Sequence, residues 1–271
     1  MAEQRRPEGG IAGGFDGGVE PWLRGLGQVR DVVRQHLVAR QVAEVVAATG
    51  RTALRAIDVG CGQGTQALGL ARAGHEVVCL DPSAALLEVL VATLGGEPDE
   101  VRGRVRVVTG TGEDAPSLVG GGFDLVLCHG VLMYLDDDAG LLDALARMTG
   151  PDGRLSLLVR NGDALGLRPG LLGDWAAVPA AVDADGYENR LGLRARAHRL
   201  GDLDNALGAR GLRRERWWGV RVLCDHLDGP APDGDRLDAL LAAERAVAGR
   251  DPYRSVAALT HAVYGRAVPG T

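Results

Sequence analysis

Short apolar runs alternate along the chain with longer stretches whose apolar residues recur at helical spacing. Val29, Val32, Val33, Leu37, Val38, Val42, Val45 and Val46 share one face of a helix over Gln28–Ala48. Ala56–Val59 is a strand with Asp58 as its one charge; Ala67, Leu68, Leu70 and Ala71 then return to helical spacing, and Glu76–Leu80 is a second strand ending on Asp81. Ala84–Leu94 predicts a helix capped by Ser83. Val105–Thr109 and Phe123–His129 read as strands three and four, Ala139–Met148 as a helix, Pro151–Gly153 as a turn and Arg154–Val159 as strand five. The pattern lapses over 161–200, where Pro169, Pro179 and several glycines leave no strong strand signal. A helix over Leu203–Ala209, a sixth strand over Glu215–Leu223, a helix over Arg236–Ala248 and a last strand over Ala257–Tyr264 close the chain. Strands and helices in this alternation predict an α/β fold: a seven-stranded, mostly parallel, doubly wound sheet with helices on both faces and an insertion after strand five.

Composition narrows the class. Hydrophobic residues make up 46 % of the 271, ample for one large core. The expected organisation is a disordered tail over 1–14, rich in Gly, Pro and charge, then a single domain over 15–265 with 161–200 laid over the substrate side. The formal charge of −6 gives no overall basic footprint for nucleic acid, although a local patch would suffice for tRNA. Every basic residue is Arg, so lysine chemistry such as a Schiff base is excluded. Cys61, Cys79, Cys128 and Cys224 are widely spaced and are expected to be reduced, buried thiols rather than zinc ligands. With no membrane-length apolar run and no signal-peptide core, a cytoplasmic location is expected.

The chemistry concentrates between Arg55 and Asp81, RAIDVGCGQGTQALGLARAGHEVVCLD. Gly60, Gly62 and Gly64 alternate after the first strand, where a backbone without Cβ can turn sharply and approach a ligand. The spacing departs from the dinucleotide fingerprint, because Gly64 comes two residues after Gly62. A D-x-G-x-G-x-G run with an acidic residue about twenty positions on resembles motifs I and II of class I S-adenosylmethionine (SAM) methyltransferases. The resemblance implies that fold, which is Rossmann-like, with SAM over the glycine turn and its ribose on Asp81. In an open α/β sheet ligands sit at the carboxyl ends of the strands. That adds Thr111–Asp114, where Glu113 or Asp114 would hold the adenine and Gly112 would supply backbone, and His129–Tyr134, where His129 would touch SAM or the substrate. Asp136, Asp137 and Asp138 are expected to start a helix rather than bind a metal.

Methyl transfer from a sulfonium needs alignment and water exclusion, and a base only if the nucleophile carries a proton. No base is obvious in the sequence. Longer stretches resemble the tRNA 5-carboxymethoxyuridine methyltransferases: GQVR, FDLVLCHGVLMYLDD, LSLLVRNGDAL, WGVRVLCDHL and LLAAERAVAGRDPYRSVAALTHAVYG. The resemblance runs from about Phe15 to Gly265 and implies SAM contacts from Arg30, Gly60, Gly62, Asp81, Gly112, Glu113 and His129. The chain departs from the family in its arginine-bearing insertion, in Arg160 where an aromatic is expected, and in its acidic charge. A carboxylate acceptor fits the missing base, and Arg is the residue that grips a carboxylate with two hydrogen bonds. Arg221 is the expected clamp, and with His129 the candidate catalytic pair; Asn161, Asp225, Tyr253 and His261 are further pocket candidates. Arg190, Arg194, Arg196 and Arg199 would bind phosphate if the acceptor is tRNA. A small-molecule O- or N-methyltransferase and a non-catalytic SAM-binding module are the alternatives.

Overall fold

The computed structural model describes residues 25–189 and 192–267, so the expected tail and Arg190 lie outside the described residues. Seven strands form one sheet: β1 (Arg55–Val59), β2 (Glu76–Asp81), β3 (Val105–Thr109), β4 (Phe123–His129), β5 (Thr149–Arg160), β8 (Leu212–Val220) and β9 (Leu259–Arg266), in the order β3-β2-β1-β4-β5-β9-β8. β9 runs antiparallel between β5 and β8, while β1 to β5 pair in parallel. The strand order reverses between β1 and β4, which opens a crevice at their carboxyl ends.

Alternation along each strand sends neighbours to opposite faces. Ala56, Val77, Cys79, Leu125 and Leu127 meet α1 (Val29–Ala48), α2 (Thr65–Arg72) and α3 (Ala84–Gly95) on one face. Ile57, Val59, Leu80, Val126 and Cys128 meet α6 (Ala139–Met148) and α9 (Leu200–Gly208) on the other. Ser83 accepts from Leu86 N as an N-cap, as expected. Two short helices, α4 (Asp99–Arg102) and α5 (Ala115–Val119), complete the connections. The four cysteines are buried and free. Among the described residues no helix is long and apolar enough to cross a membrane.

Three expectations about elements need correction. The turn at Pro151–Gly153 is absorbed into β5, which starts at Thr149 with a register shift opposite Phe123 and Leu125. Glycines at 150 and 153 permit this, since a Cβ at either would crowd the Phe123 carbonyl. The sixth strand starts earlier, and its ladder ends at Val220 because Arg221 turns left-handed with φ +62°. The insertion, read as strandless, holds α7 (Leu167–Leu171), α8 (Val178–Asp183) and a hairpin of β6 (Gly186–Glu188) on β7 (Arg194–Arg196). Three-residue strands are too short to display a period. The helix α10 (Gly234–Ala248) then packs against α1.

Candidate active site

The turn after β1 uses its three glycines differently. All have positive φ: +71° at Gly60, +55° at Gly62 and +80° at Gly64. A Cβ on Gly60 would overlap Val131, and one on Gly64 would overlap Leu90, so both positions are closed by protein. Gly62 has open space before it, its nearest neighbour being Leu86 Cδ1 at 3.9 Å. The turn is tied to β2 by Gly60 N and Cys61 N, which donate to Leu80 O at 2.8 and 3.2 Å.

Two carboxylates support this turn. Asp81 accepts from Gly62 N at 2.8 Å on one oxygen and from Ser83 N at 2.9 Å on the other. Burial raises its pKa, and those two bonds pull it back. Each oxygen keeps lone-pair capacity for a ligand hydroxyl. Asp58 is 3 % exposed and lies beneath the turn, bonded to the Ala67 backbone. Burial and then the Asp81 charge push it up to about 7. It therefore braces the turn against α2 and makes no open ligand face.

After β3, Asp114 is held within its own turn by Thr111 Oγ1 at 2.8 Å. Glu113 is the half-buried acid of the pair. Gly112 is glycine for packing, since a Cβ would overlap Leu141 and stand 2.9 Å from Val59.

His129, at the end of β4, belongs to a buried chain of hydrogen bonds. His261 Nδ1 donates to Gln41 Oε1 at 2.7 Å, because a carbonyl oxygen only accepts. His261 Nε2 then accepts from Ser156 Oγ at 2.7 Å, and Ser156 in turn accepts from His129 Nε2 at 2.9 Å. The network assigns the tautomer of both rings and leaves His129 Nδ1 as a lone pair. Burial holds His261 down to about 3, and burial, His261 and Arg34 hold His129 well below its ordinary value. Both rings are neutral, and the chain ends on an amide that cannot take a proton.

Beyond Gly130 a cavity of about 790 Å³ opens under the insertion. Gly130 lies at its mouth, with φ +77° and no atom within 4 Å of a would-be Cβ. Arg30, Arg34, Arg160, Arg168 and Arg221 line it, with Asp31, Asp174, Glu188 and Asp225 among the facing acids. Tyr134 and Tyr187 supply flat walls; the Arg160 guanidinium lies 4.9 Å over the Tyr187 ring. Asn189 donates to Tyr134 Oη at 3.3 Å, joining the β6–β7 hairpin to the loop after β4.

At the cavity floor Asp225 meets Arg160 Nη1 at 3.3 Å and Arg221 Nη2 at 3.2 Å. Burial would raise Asp225, but the charges of Arg221, Arg160 and Arg30 hold it below the usual carboxylate range. Burial lowers Arg221, opposed by Asp225. Arg221 is the one non-glycine residue with positive φ among those described, a conformation costing about 1–3 kcal/mol that clusters at functional sites. The segment that follows is held by Glu244 of α10, whose carboxylate accepts from Val222 N, Leu223 N and Cys224 N at 2.9, 3.0 and 3.0 Å.

The structure thus gathers Arg30, Arg221 and Asp225 in one cavity. Arg30, expected against SAM, donates to Asp225 O at 3.1 Å and Asp228 Oδ1 at 2.6 Å in the wall of this cavity. Three other candidates are not brought there. Asn161 spends its side chain on Ser255 O, Ala257 O and Asp163 N, tying β5 to the segment before β9. His261 is fully buried between Ser156, Gln41 and the Trp218 ring. Tyr253 is 50 % exposed and outside the cavity wall. The insertion arginines are also largely engaged. Arg196 donates to Leu135 O and Asp136 O, Arg199 pairs with Asp163, and Arg194 lies 3.8 Å from Asp185 at the surface. Asp137 accepts from Ala139 N at the start of α6, and Asp138 is bonded by His198. Among the described residues no cluster of His, Cys, Asp or Glu forms a metal site.

Sequence reasoning missed Arg160 as a site residue, Arg168, Tyr187 and Glu244. Glu244 did leave a signal: it falls in register with Leu241 and Ala248 on the buried face of α10, where an acid needs a partner.

Residues 57–157 match the model of a methyltransferase domain family, described as "Methyltransferase domain". With the strand order and the glycine–aspartate turn, this makes the chain a SAM-dependent methyltransferase of the class I fold. Among proteins it resembles, the tRNA 5-carboxymethoxyuridine methyltransferase of Escherichia coli K12 is 27 % identical over 253 residues, covering 91 % of this chain and 94 % of that one. A ubiquinone biosynthesis O-methyltransferase of Xanthomonas oryzae is 35 % identical over 107 residues, 40 % of this chain and 43 % of that one. The magnesium protoporphyrin IX methyltransferase of Synechocystis, solved with S-adenosylhomocysteine, superposes with a TM-score of 0.61 at 20 % identity, over 93 % of this chain and 96 % of that one. The residues present fit SAM: Gly62 leaves room for a ligand, and Asp81 keeps acceptor capacity beside it.

Proposed function

We propose that this methyltransferase esterifies a carboxylate, and that the carboxylate is carried on a modified uridine of tRNA. The observation that carries the reading is the pair of guanidiniums, Arg160 buried and Arg221 half-buried, at the floor of the cavity beyond Gly130. Asp81 would hold the ribose, Gly60–Gly64 the amino-acid end and Glu113 the adenine of SAM. SAM, when bound, supplies a methyl group on a sulfonium whose departure leaves a neutral thioether. The residues of this chain then have two tasks. Arg221 neutralises the acceptor and aims one oxygen, so that an O–CH₃ bond forms as the S–CH₃ bond breaks, with no proton to move. The insertion excludes water. His129 is poorly suited to act as a base, since its chain of partners ends on Gln41. That supports an acceptor already ionised at neutral pH.

The relative from Escherichia coli matches over nearly its whole length, and its name specifies 5-carboxymethoxyuridine in tRNA. The tyrosines at 134 and 187 would flank a base turned out of its stack. A free carboxylic acid is the second reading, favoured by the net charge of −6 and by the pairing of Arg196 and Arg199 within the protein. Mass spectrometry of tRNA nucleosides from a deletion strain is expected to show loss of a methyl ester. Acceptor affinity is expected to fall steeply with salt if tRNA phosphates are bound. An unchanged nucleoside profile with a flat salt response would refute the RNA acceptor.

A further inference from the structure

Arg160 and Arg221 share one carboxylate, that of Asp225, and both hold it imperfectly. Each offers it a single terminal nitrogen, at 3.3 and 3.2 Å, rather than the two-pronged grip of a strong guanidinium–carboxylate pair. Arg160 Nε and Arg221 Nε are buried without a hydrogen-bond partner, and Asp225 Oδ1 has the Arg221 Nη2 ion-pair contact but no hydrogen bond of good geometry. Arg160 is 5 % exposed, so its unused donor has little access to bulk water. Asp225 cannot adjust freely, because the chain just before it is pinned by Glu244. Two guanidiniums against one carboxylate also leave the floor with an excess of positive charge. A carboxylate entering from the cavity carries no such tether and meets the same two guanidiniums, since Arg160 and Arg221 both line it.

We propose that Asp225 is an internal placeholder for the acceptor. It holds the guanidinium edges that the acceptor's carboxylate takes over, and Arg160 is the second jaw of the clamp beside Arg221. This rests on the reading of the acceptor as a carboxylic acid. A placeholder keeps one buried and one half-buried cation partnered between turnovers, which a bare site would not. It also favours release: the ester has lost its charge, cannot compete with Asp225, and is displaced by it.

The sign of one substitution separates a placeholder from an ordinary binding residue. Calorimetry is done with phenoxyacetate as the probe and phenoxyacetamide as its neutral counterpart, in the presence of S-adenosylhomocysteine. The wild type is expected to bind the acid and not the amide. Arg160→Gln is expected to weaken the acid by about tenfold, and Asp225→Asn to strengthen it by about tenfold, through loss and gain of a charge-assisted pair. S-adenosylhomocysteine affinity is expected to be unchanged in both, which also reports folding. Weaker acid binding by Asp225→Asn, or unchanged binding by Arg160→Gln, overturns the placeholder. If the asparagine variant does not fold, Asp225→Glu replaces it. Its longer carboxylate reaches both guanidiniums and is expected to weaken the probe, and unchanged affinity there overturns the proposal. Equal binding of acid and amide by the wild type overturns the carboxylate reading itself, and the placeholder with it.

Discussion

Replacing Glu244 by glutamine tests whether one carboxylate from α10 sets the geometry of the acceptor side. Oε1 accepts from Leu223 N and Cys224 N, and Oε2 from Val222 N. Glutamine can keep its oxygen toward the first two, but its amide nitrogen then faces the Val222 N–H, donor against donor. One charge-assisted bond is lost and two become neutral. At about 1.5–3 kcal/mol for a hydrogen bond to a charged group, the net loss is about 2–4 kcal/mol of stability. In a chain of this size that corresponds to a melting point lower by about 4–7 °C. The functional effect is one-sided. Arg221 and Asp225 flank the pinned segment, so KM for the acceptor is expected to rise, whereas Gly62 and Asp81 sit across the crevice and SAM affinity is expected to hold. Thermal melts, calorimetry with SAM and steady-state kinetics with the acceptor give the three readouts. A melting point within about 1 °C of wild type would show that Glu244 does not hold the loop, and a parallel loss of SAM affinity would refute the division into two sides.

Further outcomes follow from the glycine turn and its carboxylates. Gly62→Val is expected to abolish SAM binding in a folded protein and Gly64→Ala to lower stability first, because the former faces open space and the latter drives a Cβ into Leu90; equal effects of both on a melt and on SAM calorimetry would contradict that split. Asp58, pushed up to about 7 from 3.8, binds its proton more tightly in the folded state than in the unfolded one. Its contribution is therefore fully present below the unfolded value and is lost as pH rises through the folded one, between about pH 4 and pH 7. Asp58→Asn keeps an acceptor for the Ala67 backbone and is expected to raise the denaturant midpoint at about pH 8 but not at about pH 4. A midpoint gain independent of pH would disprove the assignment.

The sequence alone determined the alternation of strands and helices, the sheet it builds and the glycine turn at the end of its first strand. These are local: Asp58, Gly60, Gly62, Gly64 and Asp81 lie within one strand–turn–helix–strand unit, and their spacing alone places them at a strand end. His261 and Asn161 were also visible as polar residues near strand ends, yet only packing decided that their side chains turn inward to Ser156 and to the backbone before β9. The arginine-lined cavity was decided by tertiary structure altogether. Arg30, Arg160 and Arg221 come from three elements separated by more than half the chain, and they meet because β5 and β8 end on the same side of the sheet while α1 closes over it. A periodic pattern reports which face of an element is buried; it carries no information about which charged ends of distant elements will share a floor, and that sharing is what builds the arginine-lined cavity.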